Sequence, residues 1–160
     1  MINRVFLLLG GNLGNRFQNL FLASGLLEKE LGAAIGGSHL YHSPAWGLSG
    51  QPDFLNAVLE FETSKSPFEV HEITRSVEEK FKNPPREKWG SSYMYIDVLF
   101  FGEMIINNGG LQVPHPLLPS RKFALTPLKE LATDFIHPVL NKTVAELLAE
   151  CTDPLTVTRL

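Results

Sequence analysis

The sequence predicts an α+β fold: an antiparallel sheet in the split βαβ, ferredoxin-like order β-α-β-β-α-β, with two helices on one face and a carboxy-terminal hairpin and helical addition. Three observations lead there. Residues 4–10, 54–63 and 93–101 are short, strongly apolar runs of the composition found in covered strands. Leucines at helical spacing follow the first run, and a helix-capping signature follows the second. No repeat, low-complexity tract or linker divides the chain, and 160 residues suit one domain over 1–160 with one core, burying roughly two-thirds of the unfolded surface.

Residues 4–10 read as a buried first strand closed by the turn G-G-N-L-G-N, whose Asn15 can cap the next helix. That helix spans 16–31, because Leu20, Leu27 and Leu31 recur on one face and Gly32 ends it. A second strand fits 35–42 and a third 54–63, where Leu55, Ala57, Val58, Leu59 and Phe61 dominate. Between them S-P-A-W-G-L-S-G-Q-P-D is a loop, the kind of segment that carries binding groups when a rigid sheet holds its ends. Ser66, Pro67 and Glu69 start a second helix that runs to Lys82, where Pro84 and Pro85 stop it. After the 93–101 strand, E-M-I-I-N, Gly109-Gly110 and L-Q-V-P form a small hairpin. A helix then fits 119–131, Thr143 caps a last short helix reaching Cys151, and the tail from Thr152 is extended or loose.

Composition narrows the function classes. With 44% hydrophobic and 19% charged residues the chain is ordinary globular protein, and a net charge of -3 argues against a general nucleic-acid binder. A lone cysteine, Cys151, excludes an internal disulfide and a cysteine-based metal cluster, which suits a reducing compartment. V-F-L-L-L is far too short to span a bilayer. The expectation is a cytoplasmic monomer with neither membrane nor nucleic-acid partner.

Asp97 is the chemical anomaly, a carboxylate inside the apolar 93–101 run. Period-two geometry puts Tyr93, Tyr95, Asp97, Leu99 and Phe101 on one face and Met94, Ile96, Val98 and Phe100 on the other. Burying an unpaired charge costs several kcal/mol, so Asp97 needs a cation, a metal or a cluster of donors; a strand-end aspartate satisfied by backbone N–H groups or by Lys/Arg is the plain alternative. The basic run Lys80, Lys82, Arg86, Lys88 just upstream suits a polyphosphate, or is simply a solvated loop face. His115 in V-P-H-P could supply a proton donor or cation and Arg121 in P-S-R-K-F a phosphate fork, although a lone histidine is usually structural. Trp46, Phe54 and Trp89 could sandwich a flat heterocycle whose edge Asn56 reads, or could be core. No Walker loop, dinucleotide fingerprint or nucleophile elbow occurs.

Taken together, L-G-G-N-L-G-N-R, Y-H-S-P-A-W-G, Q-P-D-F-L-N-A-V, E-K-W-G followed by I-D-V-L-F-F-G, and V-P-H-P-L-L-P-S-R-K-F-A-L-x-P-L resemble the 6-hydroxymethyl-7,8-dihydropterin pyrophosphokinase family over nearly the whole chain. The resemblance implies transfer of pyrophosphate from ATP to the pterin in folate biosynthesis, with Mg²⁺ as cofactor. It implies a pterin pocket of Ser43, Trp46, Phe54, Asn56 and Phe123 with Trp89 beside it. Catalytic groups would be Asp97, His115, Arg121, Lys88 and Arg86, with Asp97 also the metal ligand; Glu78, Lys82, His115 and Arg121 would face the nucleotide. Three positions depart from the family pattern: Tyr95 stands where the first metal-binding aspartate belongs, Ser92 where an arginine belongs, and Lys82-Asn83-Pro84-Pro85 where Gly-Arg-x-Arg closes on the phosphates. A neutral phenol is a poor ligand for a hard cation. The alternative is therefore a catalytically inactive member that binds pterin or nucleotide, or a partner protein.

Overall fold

The computed structural model describes residues 1–45, 50–82 and 91–160. In chain order the elements are β1 (Asn3–Gly11), α1 (Arg16–Leu31), β2 (Gly36–Gly37), β3 (Tyr41–Ser43), β4 (Phe54–Thr63), α2 (Pro67–Glu79), β5 (Tyr95–Phe101), β6 (Ile106–Asn108), β7 (Leu111–Val113), a 3₁₀ turn (Leu118–Ser120), α3 (Lys122–Ala132), α4 (Val144–Glu150) and β8 (Thr158–Arg159). The main sheet runs β5-β1-β4-β3-β8, with β2 also paired to β4. Its pairings are antiparallel, so each helical crossover joins parallel strands that flank a third, which is the expected split βαβ order.

β1 is the spine. Val5 to Leu9 have no solvent exposure, because the sheet separates two apolar layers and β1 lies between both. Val5, Leu7 and Leu9 face α1 (Leu20, Ala23, Leu27, Leu31) and α2 (Val70, Val77). Phe6 and Leu8 face Leu125 and Leu128 of α3 and Val144 and Leu147 of α4. The single core expected from length is thus two cores, the carboxy-terminal helices covering the sheet face that α1 and α2 leave open.

Helix starts follow local chemistry. The Asn15 side chain accepts the Gln18 N–H at 3.1 Å, and reciprocal bonds between Ser66 and Glu69, and between Thr143 and Glu146, complete two capping boxes. α2 is shorter than predicted: its last amides bond three residues back and Lys82 turns to positive φ, 49°.

The second strand, expected whole over 35–42, is broken into β2 and β3. Ser38 Oγ accepts the Val58 N–H at 2.9 Å, a bond that a backbone carbonyl would take in a regular ladder, and the His39 N–H leaves the sheet for the Glu130 carboxylate. The helix expected from Pro119 begins at Lys122 instead, after the 3₁₀ turn, and the Lys122 N–H is accepted by Asp153 from the tail at 3.1 Å. That tail is not loose. β8 pairs with β3, and Arg159 Nη2 meets His39 Nε2 at 2.9 Å.

β5 departs from period two. Val98 pairs with Leu7 and Phe100 with Phe6, so Leu99 is left over as a bulge in β5. Phe100 therefore shares a face with Tyr95 and Leu99, while Phe101 joins Met94, Ile96 and Val98, the reverse of the alternation expected for both phenylalanines.

Candidate active site

The bulge positions chemistry. The Leu99 carbonyl accepts the His115 N–H at 3.0 Å, which pins the V-P-H-P segment against β5. His115 Nδ1 accepts the Leu117 N–H at 3.2 Å, so the neutral ring carries its proton on Nε2, and Nε2 lies 3.7 Å from Asp97 Oδ2. Arg121, held in extended backbone between the 3₁₀ turn and α3, brings Nη1 to 3.4 Å from the same oxygen. The Asp97 and Arg121 side chains are both 13% exposed, so the pair is little screened by water. The carboxylate that the sequence required to find a partner has a guanidinium and an imidazole within reach.

On the α2 side, Glu78 Oε2 accepts the Ile96 N–H at 3.2 Å across the edge of the sheet. A cavity of about 510 Å³ opens here, lined by Asp97, Ile96, Glu78, Lys82, His71, Thr74, Arg75 and Glu79. His71 and Arg75 were not singled out from sequence, yet with Glu78 and Lys82 they repeat at helical spacing from a start fixed by the Ser66 cap, a signal that was there to be used. Burial, with the nearby Arg75 charge, holds the His71 pKa below its usual range. Lys80 points elsewhere, into a groove between α1 and α2 with Lys29 and Lys65.

The residues expected around a heterocycle lie on neighbouring strands of the same sheet. Tyr95, Gly10 and Asn56 pair side by side across β5, β1 and β4. The Tyr95 hydroxyl reaches over Gly10 and donates to Asn56 Oδ1 at 2.6 Å, and Asn56 Nδ2 donates to Ser43 Oγ at 2.9 Å. Gly10 is required by this crossing, since a Cβ there would lie 2.3 Å from Asn56 Oδ1 and 2.5 Å from the Tyr95 hydroxyl. The Phe54 and Tyr95 rings meet edge to face at 5.8 Å. Phe123, one helical position from Lys122, packs in the same layer as Tyr95 and sits under Arg121, whose guanidinium carbon is 5.5 Å from the ring centre. Ser43, Phe54, Asn56 and Phe123 are thus gathered on the sheet face that carries Asp97. Trp46, Arg86, Lys88 and Trp89 lie outside the described residues.

A hard divalent cation of the Mg²⁺ kind takes oxygen ligands, commonly one or two carboxylates plus substrate phosphates. Asp97 supplies one carboxylate, whereas the Tyr95 hydroxyl is turned to Asn56, so the donor set fits one ion shared with phosphate oxygens rather than a pair. Among the described residues no group of three or more His, Cys, Asp or Glu side chains could hold a metal alone. Among them too, no helix is long and apolar enough to cross a membrane.

Known proteins identify the family to which this sequence is similar. The chain is 37% identical over 148 residues to the 2-amino-4-hydroxy-6-hydroxymethyldihydropteridine pyrophosphokinase of Aquifex aeolicus, covering 92% of each chain. It is 33% identical over 132 residues to the Bacillus subtilis protein of the same name, covering 82% of this chain and 79% of that one. Among solved structures, Plasmodium falciparum HPPK-DHPS with pteroate matches with a TM-score of 0.77 at 16% identity, which speaks for the fold alone; the match covers 94% of this chain and 42% of that longer one. Residues 6–133 match the family described as 7,8-dihydro-6-hydroxymethylpterin-pyrophosphokinase, and the chain belongs to that family.

Proposed function

We propose that this protein transfers the β,γ-pyrophosphoryl group of ATP to the hydroxymethyl oxygen of 6-hydroxymethyl-7,8-dihydropterin, releasing AMP, as a step of folate biosynthesis. The observation that carries the reading, in a chain of this family, is one sheet face on which Asp97, met by Arg121 and His115, stands beside the Tyr95–Asn56–Ser43 chain. The heterocycle lies against Phe54 and Phe123, in a pocket to which the family resemblance also assigns Trp46 and Trp89; Ser43 and Asn56, 2% and 0% exposed and bonded to each other, reach its polar edge once the Tyr95–Asn56–Ser43 chain opens. The triphosphate faces Arg121 and His115, with Lys82, Arg86 and Lys88 adding positive charge and Glu78 standing at the nucleotide side.

The hydroxymethyl oxygen attacks the β-phosphorus in line. The bond from that phosphorus to the oxygen bridging the α-phosphate breaks, its electron pair leaves on AMP, and the hydroxyl proton passes to solvent. Arg121 stabilises charge on the migrating phosphoryl oxygens, a contribution of about 3 kcal/mol for a well-aimed donor. His115 presents its Nε2 proton to the same oxygens. Asp97 would hold Mg²⁺ with the help of phosphate oxygens, and the bound ion would supply further charge neutralisation. The reading takes residues 1–160 as one domain working as a monomer in the cytoplasm, which sedimentation and cell fractionation test.

The deciding experiment mixes enzyme, ATP, Mg²⁺ and the dihydropterin. AMP is expected only when all are present, and no AMP above background at high enzyme concentration refutes the reading. The Tyr95 hydroxyl bonded to Asn56, where the family pattern has a carboxylate, favours one second reading: a binder without turnover. It predicts calorimetric heat with a pterin and turnover no better than in solution. Silence toward both pterin and ATP would leave only a partner-binding role.

A further inference from the structure

We propose that Asn12 is a positioning residue that ties the heterocycle half of the site to the phosphate half, so that occupancy of one is felt at the other; the role rests on the pyrophosphokinase reading above. Asn12 follows Gly11 at the end of β1 and is only 3% exposed. Its Nδ2 donates to the Pro52 carbonyl at 3.0 Å and to Gln51 Oε1 at 3.3 Å. Its Oδ1 accepts the Ser92 N–H at 3.0 Å, and its own backbone N–H returns a bond to the Ser92 carbonyl at 2.9 Å. One small amide thereby joins two segments that are far apart in sequence.

Both segments lead directly into the site. Pro52 stands just before β4, which begins with Phe54 and carries Asn56, and Ser92 stands just before β5, which begins with Tyr95 and carries Asp97. Gly11 permits the second attachment: a Cβ there would fall 2.3 Å from the Tyr93 carbonyl oxygen, so backbone seats against backbone. A carboxamide is the one short side chain that offers two donors and an acceptor together. Aspartate of the same shape keeps the acceptor for Ser92 but sets a carboxylate against the Pro52 carbonyl. Alanine removes every side-chain bond and leaves only the backbone N–H bond to the Ser92 carbonyl. Any displacement of residues 51–52 shifts the Phe54 and Asn56 side chains against Asp97, which is how the two halves come to be coupled.

The test is calorimetric titration of wild type, Asn12→Asp and Asn12→Ala with the dihydropterin and with a non-hydrolysable ATP analogue plus Mg²⁺, each alone and in the presence of the other. Asn12→Asp should lose about tenfold in pterin affinity and less than about twofold in nucleotide affinity. In Asn12→Ala the ratio of pterin affinities with and without the analogue should fall at least about fivefold toward one. Equal weakening of both ligands in Asn12→Asp, or a wild-type ratio in Asn12→Ala, overturns the proposal while leaving the reaction in place. Should the alanine variant fail to fold, Gln51→Ala takes its place: it cuts one of the same bonds and should lower the ratio part-way, and an unchanged ratio there also overturns the coupling. A wild-type protein that binds neither ligand removes the reaction reading and this role with it.

Discussion

Replacing Tyr95 by phenylalanine isolates the hydroxyl that joins β5 to Asn56 of β4. The ring, and with it the 5.8 Å edge contact with Phe54, remains. What disappears is the 2.6 Å bond to Asn56 Oδ1. Asn56 has no exposed surface, and the space vacated by a single hydroxyl oxygen is too small for a water that would also need polar partners, so the acceptor loses its donor without replacement. The cost of stranding such a group is about 1–3 kcal/mol, and here it belongs near the middle, about 2 kcal/mol, because the Ser43 bond survives. At about 2–4 °C per kcal/mol for a domain of this length, Tyr95→Phe should melt about 4–8 °C below wild type. Scanning calorimetry measures it, and Asn56→Ala with the double variant completes a cycle whose coupling should equal most of the Tyr95→Phe loss. A melting temperature within about 1 °C of wild type, with zero coupling, would mean that the hydroxyl does not hold Asn56 in solution, and the account of the heterocycle half would fall with it.

Gly10→Ala should destabilise by about 1–3 kcal/mol, read by urea melts, because the new methyl group must displace Asn56 Oδ1 and the Tyr95 hydroxyl from positions 2.3 and 2.5 Å away. Arg121→Ala should lower kcat/KM about 10²–10³-fold in the AMP-release assay while the far-ultraviolet spectrum stays unchanged. The tail junction should respond to pH. Burial, then the hydrogen bond to Glu130, pushes the Tyr41 hydroxyl up from 10.0 to about 12, so its stabilising contribution is whole below pH 10 and is lost as pH rises toward 12. Burial raises the Glu130 carboxyl, but the bonds from Tyr41 and His39 outweigh that and hold it below the usual range, so its contribution is lost instead as pH falls through the acid range. Tyr41→Phe should flatten the alkaline limb of melting temperature against pH; an unaltered limb would contradict the assignment.

The strands, α1 and the capping boxes were legible because each is decided locally: an apolar run for β1 and β4, Asn15 and Ser66 for the helix starts. The departures all come from partners distant in sequence. Nothing near residue 122 says that Asp153 will accept its N–H, and nothing near Ser38 says that its hydroxyl will enter the ladder opposite Val58. The tail looked loose for the same reason, since its order comes from β3, His39 and α3 rather than from its own composition. Two cores replaced one because length bounds only the amount of burial, not how a sheet divides it.

The site was legible as a set of residues but not as a geometry, and the bulge at Leu99 is the reason. Strict alternation puts Asp97 and Leu99 on one face correctly but carries Phe101 with them and sends Phe100 to the far side. The extra residue reverses both phenylalanines, bringing Phe100 to pack with Phe135 on the α3–α4 side at 4.7 Å between ring centres. It also releases the Leu99 carbonyl from the β1 ladder, and that carbonyl is what accepts the His115 N–H. An apolar run with no glycine or polar residue at the bulge gives no local sign of it. Yet without it the histidine has no fixed backbone anchor on β5, and its imidazole has no reason to stop 3.7 Å from Asp97. The irregularity in the strand, more than the identity of the carboxylate on it, is what assembles the charged half of the site.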